Sequence, residues 1–94
     1  FEWDEHKSEL CFEERGFDFA YAAQAFFDPH RMVRADLRFD YGEQRFMLLG
    51  EVQRRLFSLV YTPRTHAVRI ISARKANARE TKLYENHPRP TQSE

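Results

Sequence analysis

Between Arg69 and Tyr84 the chain reads RIISARKANARETKLY, setting Arg69, Arg74, Lys75, Arg79 and Lys82 against a single acid, Glu80. A guanidinium is a planar fork of donors that stays charged at any working pH, so this stretch suits the oxygens of a phosphodiester. A strand running into a helix N-terminus there would add free backbone N–H groups to the same task. Glu80 and Tyr84 are four residues apart and share a helix face, which puts an acid and a phenol beside the cations. Arg45, in a neighbouring strand pattern, approaches from the sheet. Each residue also has a plainer role: Glu80 as a helix cap, Tyr84 as packing, the helix arginines as a solvated face. Arg45 and Arg69 are harder to dismiss, because a strand arginine on a partly apolar face needs a partner or a ligand.

Other chemistries find little support. His6, His30, His66 and His87 are scattered, and no Ser or Cys stands in a nucleophile motif or beside a glycine-rich phosphate loop. Asp4, Glu5 and Glu9 fall on one helix without metal-ligand company, so metal-dependent hydrolysis is disfavoured and neither a metal nor a cofactor is expected. Cys11 stands alone and forms no internal disulfide. Zero net charge conceals a division: up to Arg31 the balance is minus five, and from there on plus five. One surface would then attract polyanions, unless the halves pair with each other.

These residues need a scaffold, and 94 residues with 41% apolar and 15% aromatic side chains give one compact domain over 1–86. Residues 87–94, HPRPTQSE, read as a polar tail. With neither a signal-like start nor an apolar run of membrane-spanning length, a cytoplasmic location is expected. Asp4 caps a helix ending at Gly16, with Leu10 and Cys11 facing inward. Asp18 caps a second over Phe19–Phe27, ended by Asp28–Pro29. Period-two patterns then predict strands over 32–38, 44–50, 55–62 and 66–74, with turns at 51–54 and 63–65. Asn77 and Glu80 have the spacing of a capping box for a last helix to Glu85. The expected class is α+β: two N-terminal helices, a four-stranded antiparallel sheet and a C-terminal helix.

Several segments resemble the BrnT toxins: FEWDEHK at the start, Gly16–Phe17 followed by Phe19 and Ala22, Phe27–Asp28–Pro29, GEQRF at Gly42–Phe46, and RIISARKANARETKLYE at Arg69–Glu85. The resemblance implies a RelE-like fold and a ribonuclease that cleaves RNA without metal and blocks translation. It also implies a BrnA-type antitoxin, a ribbon-helix-helix DNA-binding protein through which alone the complex reaches operator DNA. On that reading Arg45 and Arg74 stabilise the transition state, Glu80 or Tyr84 moves protons, and Arg69, Lys75 and Arg79 hold the RNA. Cys11 and Glu14–Arg15 depart from the family's Asn and Lys-His at those positions. If that histidine served catalysis, it is lost here, which favours the alternative of a module that binds RNA or antitoxin without cutting.

Overall fold

The computed structural model describes residues 1–88. The chain forms β1 (Glu2–Trp3), α1 (Glu5–Arg15), α2 (Phe19–Ala22) running into a 3-10 helix (Ala23–Phe27), β2 (Met32–Ala35), β3 (Phe46–Val52), β4 (Arg55–Pro63), β5 (Val68–Lys75) and α3 (Ala78–Asn86). The helix ends lie where the caps put them. The Asp4 carboxylate accepts from the N–H of His6 and Lys7, and Gly16, at φ +86°, closes α1 by donating to the Phe12 carbonyl. Asp18 accepts from Tyr21 N–H at 2.8 Å. Asn77 and Glu80 make both halves of the capping box.

The sheet has five strands in the order β1-β5-β4-β3-β2, with the apolar β4 at its centre. Several expectations are corrected here. The sheet is mixed rather than four-stranded and antiparallel, because β1 pairs parallel to β5 through Glu2↔Arg69 and Trp3↔Ile70. The second helix is α-helical only to Ala22; the tighter turns after it bring Ala25 against Gly50 of β3, where an added Cβ would lie 2.5 Å from the Ala25 carbonyl oxygen. β2 ends at Ala35; the next residue, Asp36, is buried and its N–H still donates to the Arg45 carbonyl at 2.8 Å. β3 runs to Val52, so the hairpin tip is only Gln53 and Arg54, at φ +50° and +68°. β5 starts at Val68, after a turn in which Arg64 N–H bonds the Ala67 carbonyl. In α1 the buried pair is Ser8 and Cys11; Leu10 is exposed, and Ser8 Oγ instead accepts from Phe19 N–H.

Both sheet faces carry core. Leu48, Phe57, Leu59, Ile70 and Ala73 pack against α1 and α2 on one side, while Leu49 and Leu56 meet Tyr84 and Leu83 of α3 on the other. Strand alternation thus assigns each charged strand residue to one face. Arg34, Arg69 and Arg74 lie on the α3 side, in register with Met47, Thr62 and Ser58, and Lys75, paired with Phe57, lies on the α1 side. The expected polar tail lies outside the described residues from position 89 onward.

Candidate active site

Arg74 leaves β5 toward the first turn of α3 and meets Glu80 in a bidentate pair, with N–O distances of 2.7 and 2.8 Å. The same carboxylate accepts from Asn77 N–H at 3.0 Å. The Arg74 guanidinium outweighs burial and holds the Glu80 pKa below the usual carboxylate range, so Glu80 sits there charged. Beside this pair is a cleft of about 330 Å³. Met32, Met47, Leu49 and Leu83 make its apolar lining; Arg34, Arg38, Arg79, Asn77 and Glu80 make its polar one. Arg34 and Arg79 have no ion pair among the described residues. Arg38 is held across the loop by Asp36 at 2.8 and 2.9 Å, and that contact lowers the Asp36 pKa to about 2.

The sequence-derived candidates therefore separate. Arg74, Glu80 and Arg79 come together at the cleft. Arg45 and Arg69 belong to the other end of this face, roughly 13 Å farther along at 3.3 Å per strand residue. There Arg45 donates to Glu43 at 3.0 Å and lies 4.1 Å over the Tyr41 ring. Arg69 donates to Glu2 at 3.2 Å, and Arg64 reaches both of those acids. Lys75 is on the opposite face. Tyr84 shares the inward side of α3 with Glu80, as the spacing requires, but its hydroxyl donates to Asp28 Oδ2 at 2.5 Å in a buried contact.

Arg34 and Arg38 escaped the sequence reading, although one signal was present. In MVRADLR, Arg34 alternates with Met32 and so shares its face; nothing local says that α3 starts beside it. None of the described histidines lines the cleft, and among the described residues no three His, Cys, Asp or Glu side chains gather as a metal-holding group. What the cleft offers chemically is fixed positive charge around an apolar floor, with one ionised carboxylate at the start of α3. No helix is long and apolar enough to cross a membrane.

None of the curated proteins matches the chain. A family model, described as the ribonuclease toxin BrnT of type II toxin–antitoxin systems, matches residues 3–80, a span that includes both strands and the helix start that build the cleft. The chain belongs to the BrnT family of ribonuclease toxins.

Proposed function

We propose that the chain is an endoribonuclease that cleaves RNA without a metal ion, with the cleft between β2, β3 and the start of α3 as its active site. One observation carries this reading: Arg34 and Arg79, neither in an ion pair among the described residues, line the same small cleft as Arg38, next to the Arg74–Glu80 pair. In the reaction an RNA 2′-hydroxyl attacks its adjacent phosphorus, the 5′-oxygen leaves, and a cyclic phosphate and a 5′-hydroxyl result. Negative charge grows on the non-bridging oxygens, and each well-placed donor there is worth about 3–4 kcal/mol. Arg34, Arg38, Arg74 and Arg79 are assigned this work. Glu80 is assigned the 2′-hydroxyl proton, which it takes from the attacking oxygen and returns to the departing 5′-oxygen. Its depressed pKa makes it a weak base, so fixed charge supplies more of the rate than proton transfer does. Arg45 and Arg69 hold the RNA farther along the face. Tyr84, turned to Asp28, positions α3 rather than moving protons.

Cleavage of this kind blocks translation in the cytoplasm. Type II membership implies an antitoxin; we assign a BrnA-type ribbon-helix-helix protein that neutralises the toxin and alone carries the complex to operator DNA. A ribbon-helix-helix reading frame beside this one would support the pairing.

A second reading, a module that binds RNA or antitoxin without cutting, draws on the commitment of Glu80 to Arg74 and the lack of an imidazole among the cleft residues. Incubating the purified chain with labelled RNA in EDTA separates the two. Cleavage is expected, and Arg34→Ala with Arg79→Ala lowers its rate by 10²-fold or more while the melting temperature holds. Binding without any cleavage by the unaltered chain replaces the first reading with the second.

A further inference from the structure

A groove of about 730 Å³ lies on the opposite face from the cleft, between the end of α1 and the β3–β4 hairpin. We infer that this groove is a second RNA contact, a stacking and phosphate-binding track for the single strand that flanks the cleft. The inference rests on the ribonuclease reading above and adds a separate binding surface to it.

Charge comes first. Arg15, Arg54, Arg55 and Lys75 border the groove, and its one acid, Asp18, is already used in capping α2. Arg54, Arg55 and Lys75 have no ion pair among the described residues, whereas Arg38, Arg45, Arg64, Arg69 and Arg74 are all held by carboxylates. A cluster of uncompensated cations repels itself and favours a polyanion.

Aromatic rings distinguish a nucleic acid strand from an acidic peptide. Phe12 borders the groove while 59% exposed, and Tyr21 stands beside it with its hydroxyl fixed to Gln53 Oε1 at 2.8 Å. Rings interleaved with cations are what single-strand binding surfaces use, since every base has a π-face to stack. A carboxylate-bearing peptide gains nothing comparable from an exposed phenyl ring.

Position links the groove to the cleft. Arg74 and Lys75 are consecutive on β5 and point to opposite faces, so the two sites back onto the same end of the sheet. The hairpin at the groove's edge carries Arg54 at φ +68°, a backbone region that side chains rarely adopt, yet a cation stands there.

The probe is a fluorescent 2′-O-methyl oligouridylate of about twelve nucleotides, which cannot be cut through its own 2′-oxygen. Arg54→Gly with Arg55→Thr is expected to weaken binding at least tenfold and to shallow the log–log salt dependence by about 1.4, at about 0.7 per phosphate contact. Glycine suits the Arg54 backbone, and an unchanged melting temperature excludes misfolding. Phe12→Ala is expected to weaken binding roughly tenfold, by loss of stacking, with the salt dependence unchanged. Unaltered binding by the double arginine variant overturns the inference. So does displacement of the oligonucleotide by a glutamate-rich peptide combined with full binding by Phe12→Ala, which makes the groove an acidic-peptide dock. If the chain binds this probe through the groove but never cleaves RNA, the ribonuclease reading fails and the groove stands.

Discussion

Tyr84 illustrates how one contact decides a residue's role. Asp28 is buried, and burial by itself would raise its pKa; the Tyr84 hydroxyl, with the N–H groups of Glu51 and His30, outweighs that and lowers it. Removing the hydroxyl therefore strips one donor from a buried carboxylate, at a cost of about 1–3 kcal/mol. Tyr84→Phe is expected to lose that much in urea unfolding while keeping RNA cleavage within about threefold. A hundredfold loss of cleavage at unchanged stability would return the phenol to the reaction. The Glu80–Tyr84 spacing was readable, and both side chains do share the inward face of α3. The direction of the hydroxyl was not, since its partner is 56 residues away with no local mark. The Arg69–Lys82 stretch advertised its charge, but charge alone could not say that Arg69 would close on Glu2 while Arg79 faced a cleft.

At the scale of elements, caps and alternation carried the reading furthest. Asp4, Gly16, Asn77 and Glu80 act through neighbours within four residues, so helix starts and stops follow from local chemistry. β1 did not, because two residues carry no period and pair with a strand more than 60 positions away. The loop between β2 and β3 was equally hidden: it depends on Asp36, whose side chain has no exposed surface and which holds Arg38 and Tyr41. Asp28, Asp36 and Glu80 each tie down an element or loop, and each has a pKa below its ordinary value, for Asp36 about 2. A depressed carboxylate adds stability that is complete above the unfolded-state pKa and disappears as pH falls through the folded one. Melting temperature is therefore expected to hold above about pH 5 and to fall continuously toward pH 2. Asp36→Asn should flatten the lowest part of that decline, and a profile that keeps its full steepness would show that Asp36 does not drive it.

Across the whole molecule, the division between an acidic first third and a basic remainder survives folding only in part. Glu2 crosses it to meet Arg64 and Arg69, while the acids Glu5, Glu9, Glu13 and Glu14 stay exposed on α1. What distinguishes the surfaces is whether a cation already has a carboxylate. The cleft and the groove together present Arg34, Arg54, Arg55, Lys75 and Arg79 without ion pairs among the described residues, and Arg15, Arg38 and Arg74 with them. A guanidinium already neutralised by a fixed acid releases little counterion on meeting a phosphate, so five cations rather than eight should set the salt dependence. At about 0.7 per phosphate, the slope of log affinity against log salt is expected near −3.5 for a single strand long enough to span both sites. If the paired arginines let go of their acids to bind RNA, the slope steepens to about −5.6. In that case the Arg74–Glu80 pair opens on binding, and Glu80, relieved of its guanidinium, becomes a stronger base when the substrate arrives.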